Sequence, residues 1–225
     1  MCIGGNMAVS DKSIDPKLLK SARKEFLEAG FEKASLKNIC TNAGVTTGAL
    51  YKRFKGKDEL FGAVVRETVE DFHARIDNMS APDVTTLSDD ELYAGWDMGS
   101  TAMEAWFSYF FSRKEDFKLL TACSTGSSYA GFLKKTLDNC NQLSFAHYHE
   151  MKRRGICTSD FSDRELAILL KAYWQPIIEC LSLDITWEEA MHVCQGMCCM
   201  ISFEKVLGFK LTPQSRKIDR AGYFQ

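Results

Sequence analysis

Apolar residues recur three and four positions apart along almost the whole chain, and no stretch alternates apolar with polar long enough to make a strand. No Asn-Gly or Asp-Gly pair is present to turn a hairpin. A chain so patterned must satisfy its backbone within helices, and an all-α fold is expected. Helix starts are marked as well. Asp15-Pro16 offers an N-cap followed by proline at the first helical position, and capping boxes are read at Ser88 with Glu91, Ser162 with Glu165, and Thr186 with Glu189. Apolar pairs straddle the first two boxes, Leu87 with Leu92 and Phe161 with Leu166.

The spacing predicts a first helix over Pro16–Ala29 that buries Leu19, Ala22 and Phe26 and stops at Gly30, then short helices near 35–42 and 46–52, and a longer one near 57–79. SAPDVTTLS reads as a linker. Beyond it, Leu92, Trp96, Gly99, Met103, Trp106 and Phe110 share one helical face, a short helix surrounds Phe117 and Leu120, and another starts near Ser128. The last two helices, expected over 163–183 and 187–207, are apolar almost all round and so need cover on two sides. A second subunit is the natural cover. The faces assigned to that contact are Leu169, Tyr173, Ile177 and Leu181 on one helix and Val193, Met197, Met200 and Phe203 on the other.

Charge separates the two ends of the chain. The net charge is -2, yet Asp15 to Lys57 holds ten Lys/Arg against four Asp/Glu, so a +6 head is joined to a body of about -8. That division suits a nucleic-acid-binding module on an acidic partner domain. The nine cysteines are odd in number and scattered through apolar stretches, which fits a reducing compartment better than a disulfide framework. No apolar run reaches the ~18 residues of a membrane span, and MCIGGNMAVSDKSID lacks the pattern of a signal peptide, so a cytoplasmic protein without membrane contact is expected. Neither HExxH, GxSxG, a P-loop nor GxGxxG after a strand is present. Neither an enzyme nor a bound cofactor or metal is expected.

The informative segment is SLKNICTNAGVTTGALYKRFKGKDEL, residues 35–60. Ser35 can cap one short helix and Thr46 the next, Gly44 supplies the tight turn, and Ile39, Leu50 and Phe54 face inward. Two short helices about such a turn send the second into a DNA major groove. Its outward residues are Thr47, Gly48, Tyr51, Lys52 and Arg53, hydrogen-bonding and cationic groups suited to base edges and phosphates.

Over residues 16–65 this segment resembles the TetR family of transcriptional regulators, through Val45, Thr46, Thr47, Gly48, Ala49, Leu50, Tyr51, Lys52, Arg53, Phe54 and Lys57, and through FLEAGFEKASLKNIC upstream. Cys40 stands where a small Ala is usual. The resemblance implies a two-domain repressor or activator that dimerises through its last two helices and releases or alters its contact with double-stranded DNA when a small molecule enters the C-terminal domain; a palindromic operator and a small, largely apolar effector are expected. It further implies that Ser35, Lys37 and Lys57 hold phosphates while Thr47, Gly48, Tyr51 and Lys52 face the groove, with Thr46 and Arg53 beside them. The expected division is a tail over 1–14, a DNA-binding domain over 15–62, an effector and dimerisation domain over 63–210, and a tail over 211–225.

Beyond residue 80 the resemblance fades, and the effector has to be sought in the residues. Trp96, Met103, Trp106, Phe110, Phe117, Tyr129 and Tyr148 could line a cavity or simply fill a core. Cys194, Cys198 and Cys199 offer a different input, a redox- or metal-responsive one, because the first two share a helix face.

Overall fold

A computed structural model describes residues 14–78, 83–96, 100–183 and 185–209. Most of the N-terminal tail, the C-terminal tail, Gly99 and part of the SAPDVTTLS segment lie outside the described residues. Within them the chain is α-helical, with one 3-10 turn at Val84–Thr86 and no strand.

Four helices make the head: α1 (Ile14–Lys33), α2 (Leu36–Ala43), α3 (Thr47–Tyr51) and α4 (Lys57–Asn78). α1 carries a break at Gly30, whose φ of 72° and ψ of 165° are open to glycine and costly for any residue with a Cβ. The turn after it continues helically because the Phe31 N–H finds a partner elsewhere, the Cys123 carbonyl at 2.8 Å. Leu18, Ala22 and Phe26 form the buried face of α1, with Leu19 only partly covered, and they close on Ile39, Cys40, Leu50, Leu60 and Phe61. Phe26 and Phe31 both meet the Phe61 ring edge-on, at 5.0 and 5.5 Å. Burying each such ring contributes about 1.5–3 kcal/mol. The Cys40 thiol fits this tight crossing, and burial pushes its pKa up.

The body comprises α5 (Asp89–Ala94), α6 (Ser100–Ser112), α7 (Lys114–Thr121), α8 (Phe132–Arg153), α9 (Asp163–Ser182), α10 (Trp187–Met200) and α11 (Phe203–Leu207). All three capping boxes form in both directions, at Ser88, Ser162 and Thr186. Two stretches expected as single helices are divided. The face from Leu92 to Phe110 is split between α5 and α6, with Gly95 closing the first, and the stretch 187–207 stops at Met200. There the extended β-branched Ile201 is followed by Ser202, whose side chain caps α11.

α7 is the hub. It packs on α1 and α4 of the head and on α6, α8 and α9 of the body, while α6 also lies against α10. Arg23 on α1 pairs with Asp116 on α7, whose other oxygen accepts from the Thr68 hydroxyl on α4 at 2.9 Å. The connection 122–131 between α7 and α8 rests on the head as well. The Ser128 N–H donates to Asp58 Oδ1 at 2.8 Å, and Tyr129 lies 5.9 Å from the Phe61 ring, against Gly62. A Cβ on Gly62 would come within 2.9 Å of the Tyr129 hydroxyl, so any larger residue here would make the Tyr129 ring shift.

Candidate nucleic-acid interface

α2, its turn and α3 owe their geometry to side chains at their ends. The Ser35 hydroxyl accepts from the Asn38 N–H, and Glu25 of α1 holds both the Ser35 N–H and the Asn38 amide, at 2.9 and 3.3 Å. Gly44 is left-handed at φ 69° and ψ 32°, which reverses the chain and lets its N–H satisfy the last carbonyls of α2. Thr46 then takes extended backbone and its hydroxyl accepts from the Ala49 N–H at 3.1 Å, starting α3. Leu50 is buried in α3 and Phe54 beyond it packs on the same core, which turns the remaining positions outward.

The outward set is contiguous. Thr46, Thr47, Gly48, Tyr51 and Lys52 are all exposed, and Lys37 on α2 is exposed as well. Tyr51 is 58% accessible, too much for a packing role. Among the described residues Lys37 and Lys52 have no acidic partner, so their ammonium groups are available to an anion. Ser35 and Arg53 are half-buried, and the Arg53 guanidinium donates to the Ala49 carbonyl at 3.1 Å. Lys57 is more committed than its sequence position suggests. Its ammonium donates to the carbonyls of Glu32 and Ala34 at 2.8 and 3.1 Å and sits 4.9 Å over the Phe31 ring, leaving one N–H outward. It fastens α4 to the end of α1.

The aromatic residues considered as a ligand cavity are core. Trp96, Met103, Trp106, Phe110, Phe117 and Tyr148 are all buried, and Trp106 is wedged between Phe110 and Trp174. Tyr148 uses its hydroxyl to accept from the Phe161 N–H at 2.8 Å and to donate to the Ser159 carbonyl, and Tyr129 leans on the head. A cavity of about 270 Å³ lies elsewhere, between α7, α8 and α9, walled by Leu120, Leu133, Leu137, Trp174 and Ile178 with Asn141 among them. None of the seven lines it. The sequence does hold a sign of it, because Asn141 falls in the buried register of Leu133, Leu137 and Phe145, where an apolar residue is expected.

The faces assigned to a second subunit are mostly covered within this chain. Tyr173, Ile177, Leu181, Met197 and Phe203 are buried inside this chain and Leu169 is partly so, leaving Val193 and Met200 outward. Helices apolar on every side do not disclose which side meets their own chain. The outward apolar side chains on α9, on α10 and between them are Ile168, Leu183, Trp187, Val193 and Met200. Cys194 is buried beside Cys198, while Cys199 is exposed. Desolvation, reinforced by Cys198, pushes the Cys194 thiol up to about 12, which leaves it neutral at pH 7 and a poor nucleophile or metal ligand. No three His, Cys, Asp or Glu side chains group to hold a metal ion, and no helix is long and apolar enough to cross a membrane, among the described residues.

These observations define a helix-turn-helix domain mounted on a larger helical body. The profile of the bacterial regulatory proteins of the tetR family matches residues 18–64, within the four-helix head. The chain is 34% identical over 70 residues to the HTH-type transcriptional regulator UidR of Escherichia coli K12, a match that spans 31% of this chain and 36% of UidR. In this match the chain spans about a third of that relative's length. Solved structures extend the likeness in fold. A TetR-like transcriptional regulator from Rhodococcus sp. RHA1 superposes with a TM-score of 0.55 at 17% identity, covering 87% of this chain and 96% of that one. FadR of Bacillus subtilis, a transcriptional regulator solved in complex with stearoyl-CoA, gives 0.51 at 14%, covering 83% and 99%.

Proposed function

We propose that this chain is a ligand-responsive transcriptional regulator, a repressor, that binds a palindromic operator as a homodimer in the cytoplasm. In this reading α3 enters the major groove with Thr47, Gly48, Tyr51 and Lys52 toward the bases, while Ser35, Lys37, Thr46, Arg53 and the outward N–H of Lys57 meet phosphates. Residues 15–62 act as the reader and 63–210 as the effector and dimerisation domain, the division falling inside α4. A small, largely apolar effector bound in the body moves the heads apart and releases DNA. The neutral, buried Cys194 thiol favours this over a redox or metal input.

The observation that carries the proposal is the surface of α3. An exposed tyrosine, an unpaired lysine, two threonines and a glycine with no side chain stand together on a helix only five residues long, which is held from behind by Leu50. Apart from the Thr46 cap, no hydrogen bond or ion pair among the described residues occupies those groups. Nuclease footprinting on the chain's own promoter region is the direct test. Two protected half-sites related by a two-fold axis, about one helical turn apart, are expected. An unprotected promoter at protein concentrations that protect no other sequence would overturn the proposal.

A further inference from the structure

The cavity between α7, α8 and α9 has polar groups in its wall, and most of them are already satisfied. The Thr121 hydroxyl donates to the Phe117 carbonyl and the Ser182 hydroxyl to the Ile178 carbonyl, each within its own helix. The Gln175 amide donates to Glu179 at 2.7 Å, and Lys134 pairs with Asp138 at 3.4 Å. Two wall residues remain. Asn141 is only 7% exposed, yet its side-chain amide has no hydrogen-bond partner among the described residues. Lys171, exposed at the rim, has no acidic partner among them.

The amide is not sealed off but lies in the cavity wall, so a polar group this nearly enclosed favours an occupant that completes its hydrogen bonds. The rest of the wall, Leu120, Leu133, Leu137, Trp174 and Ile178, calls for an apolar body next to that amide. A single water would satisfy Asn141 and leave those side chains wet. Size narrows the class further, because about 270 Å³ falls just below the roughly 300–1,000 Å³ of pockets for drug-sized ligands. A compact ring or branched chain is enclosed by it; a long acyl chain would extend beyond its mouth. With Lys134 and Asp138 cancelling, Lys171 leaves the mouth net positive and selects against a cation.

Resting on the effector reading above, we propose that this cavity, and not the aromatic core, is the effector site, and that it takes a compact apolar molecule bearing one carboxylate or carboxamide. Its oxygen accepts from the Asn141 amide, and a negative charge faces Lys171. The position suits regulation. Leu120 and Thr121 end α7 and Gly131 and Leu133 open α8, so an occupant touches both roots of the 122–131 connection that is hydrogen-bonded to the head.

Three probes with one body test this: cyclohexanecarboxylate, cyclohexanecarboxamide and cyclohexylmethylammonium, titrated calorimetrically into the full chain at millimolar concentration. The acid and the amide are expected to bind, with the ammonium weaker by tenfold or more. Asn141→Leu should weaken acid and amide alike by about tenfold, and Lys171→Gln the acid alone by a few-fold. Should Asn141→Leu fail to fold, Asn141→Asp serves: the amide still binds, and the acid is repelled. Failure of acid and amide to bind, equal binding of the ammonium, wild-type affinity for either in a folded Asn141→Leu variant, or wild-type affinity for the acid in Asn141→Asp would each overturn the assignment. The same preparation is titrated with promoter duplex without probe. DNA binding with no probe binding sinks the cavity assignment alone, whereas probe binding with no DNA binding leaves the cavity standing and sinks the regulator.

Discussion

Gly48 and Lys57 show how much one residue can be asked to do. A Cβ built on Gly48 meets nothing closer than the Thr46 hydroxyl at 3.8 Å, so the fold itself has no use for glycine there. Gly48→Ala is therefore expected to leave the melting temperature unchanged or raise it, by up to ~1 kcal/mol of helix propensity, while weakening operator binding by tenfold or more. Equal affinity for DNA would show that this position does not approach a duplex. Lys57 is the opposite case. Losing its bonds to the Glu32 and Ala34 carbonyls should cost roughly 1–2 kcal/mol, so Lys57→Ala lowers thermal stability along with DNA affinity. A variant that melts like wild type would return Lys57 to a purely external role. The outward set on α3 was legible from turn chemistry and the two anchors, Leu50 and Phe54. The partners of Lys57 were not, because backbone carbonyls carry no residue-specific signal.

Among the elements, the punctuation of helices was read well wherever a side chain supplies it, as at Ser88, Ser162 and Thr186. The breaks at Gly95 and Ile201 were missed because apolar spacing runs on across them. What joins head to body, the Arg23–Asp116–Thr68 group and the 122–131 connection, pairs residues far apart in the chain, which periodicity cannot report. Asp116→Ala should free the end of α1, and amide exchange at Phe31, now bonded to Cys123, is expected to speed up at least tenfold while the first turn of α9 stays protected. Unchanged exchange at Phe31 would place the joint elsewhere. A second joint is acid-sensitive. Hydrogen bonds from Arg153 and Arg154 hold the Glu150 carboxylate down at about 2, and Arg154 reaches on to Thr85, Leu87 and Asp89. A depressed carboxylate contributes stability above its ordinary range near 4.3, and that contribution fades as pH falls toward 2. Melting should therefore decline between about pH 4.5 and 2 more steeply in wild type than in Glu150→Gln, and parallel curves would discount the network.

For the molecule as a whole, the all-α class, the basic head and the two last long helices needing cover on two sides could be argued from pattern and charge. Which of their sides points outward could not, since Tyr173 and Ile168 are both apolar, and only packing against the rest of the body, Phe203 of α11 included, separates them. With Met200 81% and Ile168 69% exposed, and Trp187 and Val193 also outward on α10, the chain is expected to sediment as a dimer at micromolar concentration. Ile168→Glu combined with Met200→Glu should yield a folded monomer of about 25 kDa with operator affinity down by a hundredfold or more; a dimer surviving both changes would move the interface to another face. The central claim is that the head reads DNA with unpaired cations around a groove-facing helix. Its most direct measurement is affinity for promoter and for random duplex against salt, in wild type and Lys37→Ala. The promoter should be preferred by at least a thousandfold, and Lys37→Ala should flatten the plot of log affinity against log salt by about two, two lost phosphates per dimer at about 0.9 each, on either duplex. Equal affinity for the two duplexes, with a slope that Lys37→Ala leaves untouched, would contradict the account.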